Sequence, residues 1–194
     1  MFSSNEKQLA ILIDPGKYGV DCLVNLLQIM QQKPPHYILV GGSTTSSSMD
    51  ETINLIRQYL DVPVILFPGN ASQFTPNADA LMYLSLISGR NPDYLIGQHV
   101  LSSISIKKSG LKVVPVGYML IESGRMTSVE YISNTKPIPS NKSEIAVCTA
   151  VAGELLGMQS IYLEAGSGAD RPVPAEMIKA VKKNISIPLI VGGG

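Results

Sequence analysis

The chain has 194 residues, 45% hydrophobic and 15% charged, with fifteen basic residues balancing fifteen acidic ones. This length suits one domain, which we expect to span residues 1–194, and the neutral balance gives no reason to expect nucleic acid or an anionic membrane as a partner. A small-molecule binder is favoured. Because roughly 25% charged residues is usual for soluble domains, the low charge content predicts a homo-oligomer interface or an apolar ligand groove.

The N-terminus and the cysteines favour a cytoplasmic protein without stable insertion in a membrane. The first residues lack the basic segment and apolar run of a signal peptide, and no apolar stretch is long enough to span a bilayer. Cys22 and Cys148 have neither CxxC spacing nor neighbouring histidines. We interpret them as buried thiols in a reducing compartment.

The first half of the chain predicts strands that alternate with helices. Continuous apolar runs predict buried strands at residues 9–13, 37–40 and 64–67. A helical apolar stripe follows the first strand, with Asp21 placed to cap the helix, and residues 48–51 fit a capping box that opens a second helix.

The second half repeats this alternation after one irregular crossover. The apolar run at residues 80–87 predicts a fourth strand, which follows the third too soon for a full helix between them. The remaining predicted elements are helices at 96–108, 144–156 and 174–183 and strands at 113–121, 161–163 and 189–191. Seven strands therefore alternate with helices.

This alternation predicts an α/β fold with parallel strands, either a closed (β/α)8 barrel or an open doubly wound sheet. Periodicity does not choose between the two. Polar and glycine-rich segments cluster after strands, where the functional face of either architecture lies. A barrel with seven visible strands needs an eighth, which we expect in the native gene product but not in this chain.

Two glycine-rich loops follow the last two predicted strands. Residues 162–168 place Glu164 at a strand end, followed by glycines that let backbone amides converge on an anion, and residues 192–194 offer similar chemistry after the next strand. Barrels often bind phosphate at such loops. Each loop taken singly fits a tight turn equally well.

Polar side chains also follow the first two strands. Asp14 ends the first strand, where a carboxylate can help to hold Mg²⁺ beside substrate phosphates, although capping of a turn is an alternative role. Ser43 and Thr44 follow the second strand, where a hydroxyl could complete the metal shell or simply belong to a polar loop.

The two histidines and one long segment complete the candidates. His36 lies just before a strand and His99 within a helix, so we expect structural roles for both and no nucleophilic catalysis. Residues 123–143 lack clear periodicity, which fits either a lid over the site or a disordered surface loop.

Six sequence blocks together resemble the geranylgeranylglyceryl phosphate synthase family of PcrB-like prenyltransferases, in the family's order and over essentially the whole chain. The blocks are Leu12-Ile13-Asp14-Pro15-Gly16-Lys17, Val40-Gly41-Gly42-Ser43, Phe67-Pro68-Gly69-Asn70, Pro115-Val116-Gly117-Tyr118, Tyr162-Leu163-Glu164-Ala165-Gly166-Ser167-Gly168 and Ile190-Val191-Gly192-Gly193-Gly194.

The resemblance implies a modified TIM barrel in which irregular structure replaces the third helix. It also implies a Mg²⁺-dependent prenyltransferase that joins sn-glycerol 1-phosphate to a polyprenyl diphosphate, by default geranylgeranyl diphosphate, through an ether bond, and releases diphosphate. The family's final Gly-Asn phosphate loop is not found in this chain, which leaves the activity of the chain itself open.

Site residues follow from the resemblance residue by residue. Asp14 and Ser43 match the magnesium positions, Lys17 could add positive charge near the diphosphate, and Glu164 is the expected proton acceptor or orienting group for the glycerol hydroxyl. The residues that match the glycerol phosphate loops are Tyr162, Leu163, Glu164, Ala165, Gly166, Ser167, Gly168, Gly193 and Gly194.

Two other functions stay open, because a fold and phosphate loops do not fix the reaction class. One is another phosphate-binding TIM-barrel enzyme, an isomerase or a lyase. The other is a non-catalytic barrel that binds ligand without turnover.

Overall fold

The computed structural model describes residues 2, 6–42 and 48–193. Its strands are β1 (Ala10–Ile13), β2 (Tyr37–Val40), β3 (Val64–Leu66), β4 (Ala80–Leu86), β5 (Lys112–Leu120), β6 (Ser160–Glu164) and β7 (Leu189–Gly192). Its helices are α1 (Val20–Gln32), α2 (Met49–Tyr59), α3 (Gln98–Ser109), α4 (Ser128–Ser133), α5 (Ser143–Leu155) and α6 (Ala175–Asn184), and a π-helical turn, Asp93–Gly97, leads into α3.

The strand order follows the chain order from β1 to β7, and the paired strands are parallel. A doubly wound sheet would reverse its strand order at a switch point, whereas consecutive order is the rule in a barrel. Residues 67–79, between β3 and β4, contain turns and no helix. The predicted α/β fold of the modified (β/α)8 type, with an irregular third crossover, is confirmed.

Contacts group the chain into two compact units. The N-terminal unit comprises Lys7–Tyr83 and His99–Val113, and the C-terminal unit comprises Leu84–Gln98 and residues 114–193. A single domain over residues 1–194 stays a prediction.

The core of the N-terminal unit forms between strands β1 to β3 and helices α1 and α2. Its fully buried members include Ile13, Leu27, Ile38, Val40, Ile53, Ile56 and Leu66. The Ser48 side chain accepts a hydrogen bond from the Glu51 amide at 3.3 Å, as the capping box predicts. The predicted Asp21 cap is wrong: Gly19 is the N-cap residue of α1, and Asp21 lies in the first turn, where its charge suits the helix dipole.

The core of the C-terminal unit depends on small residues that let its elements approach closely. Ala146 and Ala150 of α5 are fully buried. A Cβ atom at Gly117 or Gly153 would lie 2.7 or 2.8 Å from the Ile87 Cδ1 atom, so both glycines leave space for that side chain. The other buried members include Met119, Ile121, Ile161, Leu163, Met177 and Val181.

The interpretation of the two cysteines as buried thiols is wrong, because Cys22 and Cys148 are both exposed. They lie on α1 and α5, whose buried positions are Leu23 and Leu27 in one helix and Ala146 and Ala150 in the other. None of the described helices is long and apolar enough to cross a membrane.

Candidate active site

Glu164 ends β6 in a buried position of the C-terminal unit. The residue is only 7% exposed, and one of its carboxylate oxygens accepts a hydrogen bond from the Gly166 amide at 2.7 Å. The hydroxyls of Tyr162 and Tyr118 also donate to this carboxylate. Three donors therefore compensate a charge that would otherwise be costly to bury.

The sheet brings the two tyrosines together. Tyr118 of β5 pairs in register with Tyr162 of β6. Parallel neighbours in register point to the same face, and the two rings stack with their centroids 5.4 Å apart and an interplanar angle of 22°. Both phenol groups thus approach Glu164 from one face of the sheet.

Burial determines the ionisation of this cluster. It raises the pKa of the Glu164 carboxyl above its ordinary 4.5, and the hydrogen bonds from Gly166, Tyr162 and Tyr118 oppose that shift. Burial, reinforced by the nearby Glu164 charge, also raises the pKa of both phenols above 10.0. The tyrosines are therefore neutral donors at neutral pH, and Glu164 is a more basic carboxylate than an exposed one.

The loop after β7 lies directly against this cluster. A Cβ atom at Gly192 would lie 1.9 Å from the Tyr162 hydroxyl oxygen. One at Gly193, where φ is +88°, would lie 2.5 Å from the Gly166 nitrogen and 2.6 Å from the Glu164 carboxylate. Only glycine fits at these two positions, because the contacts are with backbone and with a buried hydroxyl.

The glycine-rich loop after β6 divides into an internal part and an exposed part. The Ala165 amide donates to the Gly192 carbonyl at 3.0 Å, and the Gly166 amide donates to the Glu164 carboxylate. Leu163 is fully buried in the core of this unit, and its predicted role in substrate binding stays a prediction. The exposed residues of the two loops are Ser167, Gly168 and Gly193, which an anion could reach.

The segment that follows β5 packs on the same loop. A Cβ atom at Gly166 would lie 2.3 Å from the Thr127 methyl carbon, and one at Gly168 would lie 2.5 Å from a guanidinium nitrogen of Arg125. Arg125 also forms an ion pair of 3.8 Å with Asp170, and both side chains are more than half exposed. Arg125 therefore brings positive charge to the exposed part of the loop.

The same segment borders a cavity in the C-terminal unit. The cavity measures about 280 Å³ and is lined by residues that include Glu122, Ser123, Arg125, Thr127 and Glu130. Residues 123–143 are folded, with α4 inside the segment and a bridge that pairs Ile138 with Ile121, so the alternative of a disordered loop is wrong. A role as a lid stays a prediction.

In the N-terminal unit, Asp14 follows β1 and faces the chain after β2. Its carboxylate accepts from the Gly16 amide at 3.2 Å and pairs with the Lys17 ammonium at 3.7 Å. A Cβ atom at Gly42 would lie 2.4 Å from one Asp14 oxygen, so the glycine permits close backbone approach to the carboxylate.

The fit of Asp14 to Mg²⁺ depends on the chemistry of its donors. Mg²⁺ prefers oxygen ligands and usually takes one or two carboxylates, with water and substrate phosphates at its other positions. Asp14 offers such a carboxylate in a cradle that a side chain at residue 42 would fill. Within the described ranges, no cluster of three or more His, Cys, Asp or Glu could hold a metal. The carboxylate of Asp14 fits Mg²⁺ that is shared with a ligand.

Some predicted site residues lie outside the described residues, and other residues were missed. Ser43, Thr44 and Gly194 are not among the residues described. The roles of Tyr118 and Arg125 were not predicted from the sequence. The β5 and β6 register could have found Tyr118, which lies opposite Tyr162, whereas no sequence signal links Arg125 to Gly168.

The histidines have structural contacts. The His36 Nδ1 atom accepts from the Leu9 amide at 3.0 Å, next to the start of β1. His99 is buried against Tyr83, with ring centroids 4.1 Å apart. Both contacts agree with the structural roles predicted for these residues.

The fold and the site together define a barrel-type α/β protein with a buried carboxylate beneath glycine-rich strand ends. A family model described as the PcrB family matches residues 3–194. A relative from Spirosoma linguale, named geranylgeranylglyceryl phosphate synthase, is 53% identical over 192 residues, covering 98% of this chain and 77% of the relative. A relative of the same name from Methanosphaera stadtmanae is 44% identical, covering 94% and 75%.

Solved structures agree with these relatives. The wild-type GGGPS from Thermoplasma volcanium has a TM-score of 0.90 and 36% identity, over 98% of this chain and 77% of that one. The (S)-3-O-geranylgeranylglyceryl phosphate synthase from Thermoplasma acidophilum, in complex with sn-glycerol-1-phosphate, has a TM-score of 0.91 and 32% identity, over the same shares. The chain belongs to the PcrB family, and the resemblance predicted from the sequence is confirmed.

Proposed function

We propose that this chain is a prenyltransferase that forms an ether between sn-glycerol 1-phosphate and a polyprenyl diphosphate. The product with a geranylgeranyl donor is 3-O-geranylgeranyl-sn-glyceryl 1-phosphate. The observation that carries the proposal is the buried carboxylate of Glu164, held by two tyrosines and a backbone amide beneath an exposed glycine-rich loop. Membership of a family with relatives named geranylgeranylglyceryl phosphate synthase supports the choice of reaction.

The exposed part of the loops suits the phosphate of sn-glycerol 1-phosphate. Ser167, Gly168 and Gly193 are exposed strand-end residues, and glycine backbone lets an anion approach amide groups closely. The Arg125 guanidinium beside Gly168 adds a donor with a fixed positive charge. We infer that the phosphate binds here.

Glu164 is the proposed acceptor of the proton from the glycerol hydroxyl. In the proposed reaction the hydroxyl oxygen bonds to the allylic carbon of the donor, the carbon–oxygen bond to diphosphate breaks, and Glu164 accepts the hydroxyl proton. The raised pKa of the Glu164 carboxyl makes it a better proton acceptor than an exposed carboxylate. Tyr118 and Tyr162 keep the carboxylate in place before the substrate arrives.

Asp14 and Lys17 are the proposed binding residues for the diphosphate group of the prenyl donor. We propose that Asp14, together with Ser43, holds Mg²⁺. When bound, Mg²⁺ neutralises charge on the leaving diphosphate. Lys17, whose side chain is 57% exposed, pairs with Asp14 in this structure and can turn to a phosphate oxygen.

The proposal extends to assembly and location. Large exposed hydrophobic side chains, among them Leu101, Leu155 and Leu156 at 75%, 83% and 77% exposure, support a homo-oligomer. We also propose a cytoplasmic location, because both substrates carry phosphate charges that do not cross a bilayer unaided.

Product analysis with a variant at Glu164 tests the reaction. The protein is mixed with Mg²⁺, sn-glycerol 1-phosphate and geranylgeranyl diphosphate, and the ether product is measured by mass spectrometry. We expect Glu164→Gln to slow single turnover by about 10²-fold to 10⁴-fold, the usual contribution of a general base. Glu176→Gln, on the exposed surface of α6, is the control. An unimpaired Glu164→Gln protein would remove the proton-transfer role, and no ether product from the parent protein would remove the reaction.

A further inference from the structure

The side chain of Gln73 bonds to the loops that follow two different strands of the N-terminal unit. Its Nε2 atom donates to the Gly42 carbonyl at 2.7 Å. Its Oε1 atom accepts from the Gly69 amide at 3.1 Å and from the Gly42 amide at 3.4 Å. Gln73 is only 3% exposed, so water does not compete for these bonds. One amide therefore holds both polar backbone groups of Gly42 and joins the loops after β2 and β3.

Gly41 and Gly42, the described residues that directly follow β2, have no side chains to fix their backbone. A Cβ atom at Gly41 would lie 2.0 Å from the Phe67 carbonyl oxygen, and one at Gly42 would lie 2.4 Å from Asp14. The close approach of three strand ends thus requires two consecutive glycines, which are also the most flexible residues in an unfolded backbone. A bond from elsewhere in the unit must set the direction of the Gly42 peptide groups.

We propose that Gln73 is a positioning residue for the diphosphate end of the active site. By holding Gly42 against the Asp14 carboxylate, it keeps that carboxylate available to a magnesium diphosphate. The inference depends on the proposed function, since it names what the Asp14 end binds. Gln73 acts through Gly42 and touches no substrate.

The bonding pattern makes the role of the amide specific. Gly42 needs a donor for its carbonyl and an acceptor for its amide, and only a carboxamide of this length supplies both. Glutamate at this position keeps the acceptor and loses the donor. Methionine has a similar length and loses both. At nearly constant size, methionine therefore removes both bonds, whereas glutamate removes the donor and adds a buried negative charge.

Isothermal titration calorimetry with inorganic pyrophosphate in the presence of Mg²⁺ tests the role. We expect Kd to rise about tenfold or more in Gln73→Met, because a buried donor and acceptor lose their partners, and at least as much in Gln73→Glu, because its buried carboxylate faces the Gly42 carbonyl. Titration with sn-glycerol 1-phosphate should give an unchanged Kd in both variants. Gln31→Met is the matched control, since Gln31 also donates to a backbone carbonyl of this unit but on the exposed surface.

Hydrogen exchange and circular dichroism give readouts that are independent of activity. The amides of Gly42 and Gly69 should exchange faster in Gln73→Met, at an unchanged far-ultraviolet spectrum. If that variant does not fold, Gln73→Glu decides the question.

Pyrophosphate affinity that stays within twofold of the parent, or an equal loss of affinity for both ligands, would overturn the positioning role while leaving the proposed function intact. Failure of the parent protein to bind magnesium pyrophosphate would instead overturn the diphosphate site itself, and the inference with it.

Discussion

Each unit presents a carboxylate at the end of a strand, and the two carboxylates have different partners. Asp14 has an exposed Lys17 ammonium and one backbone amide as partners. Glu164 is buried and takes donors from Gly166, Tyr162 and Tyr118. The partner of the first is the ammonium of an exposed side chain, whereas the partners of the second are one backbone amide and two phenol groups. The position at a strand end therefore does not determine the environment of a carboxylate; the donors around it do.

Removal of the Asp14 carboxylate should have the largest effect. We expect Asp14→Asn to lower the single-turnover rate by about 10³-fold or more, since it weakens a metal site worth several kcal/mol of transition-state stabilisation. Stability should change little, because the new amide can keep the hydrogen bond from Gly16. Asp21→Asn, in the first turn of α1, is the control. An active Asp14→Asn protein would show that the two carboxylates do not differ as proposed.

The cost of close packing at Gly193, which lies against Glu164, can be separated from the cost of its left-handed backbone conformation. Gly193 and Gly157 both have positive φ, +88° and +92°, but a Cβ atom would meet other atoms within 4 Å only at Gly193. Gly157→Ala should cost about 1 to 2 kcal/mol for the left-handed conformation, and Gly193→Ala about 1 to 3 kcal/mol more for overpacking. Urea unfolding measures both. Equal costs would contradict the close contact of Gly193 with Glu164 and Gly166.

The pH dependence of stability should have opposite signs for two carboxylates of the C-terminal unit. Burial raises the folded pKa of Glu164 above 4.5, so its contribution to stability is greatest at low pH and falls as pH rises through the raised pKa. Hydrogen bonding from Ser140, with help from Arg171, lowers the pKa of Glu122 below 4.5, so its contribution is present at higher pH and falls as pH drops through the lowered pKa.

The free energy of unfolding of the parent relative to Glu164→Gln should therefore decrease from acidic to neutral pH. The corresponding difference for Glu122→Gln should increase from strongly acidic pH towards pH 5. Denaturant titrations at several pH values measure both slopes. Slopes of the same sign would show that burial does not determine the pKa of the Glu164 carboxyl.

The smallest effect should come from Arg125. We expect Arg125→Ala to raise the KM for sn-glycerol 1-phosphate about threefold to tenfold, since it removes one charged donor from the rim of the loop. Stability should stay constant because the ion pair with Asp170 is exposed. Lys179→Ala, which removes an exposed cation from α6, is the control. A KM equal to that of the parent would exclude Arg125 from phosphate binding.

Much of the fold could be predicted because its strands are short apolar runs. Residues 37–40 are the observed β2, and Ser48 caps α2 as its capping box predicts. Asp21 failed as a cap because a polar residue near a helix start fits the first turn as well as the cap position. The cysteines failed because average burial of a residue type does not fix which face of a helix one position occupies.

The site was predictable where its residues are consecutive and not where the fold brings distant residues together. Glu164 and the glycines around it stand in one block, so their place at the strand ends followed from the sequence. Tyr118 and Gln73 lie more than forty residues from Glu164 in the chain. Their bonds depend on strand register and on loop geometry, which no local pattern contains.

The two exposed cysteines give the chain a spectroscopic use. Cys22 lies in the N-terminal unit and Cys148 in the C-terminal unit, and the sequence has no other cysteine. Thiol-reactive spin labels or fluorophores would therefore attach at one surface position in each unit without mutagenesis. The distance distribution between the two labels, recorded with and without sn-glycerol 1-phosphate, would show whether their separation changes when the ligand binds.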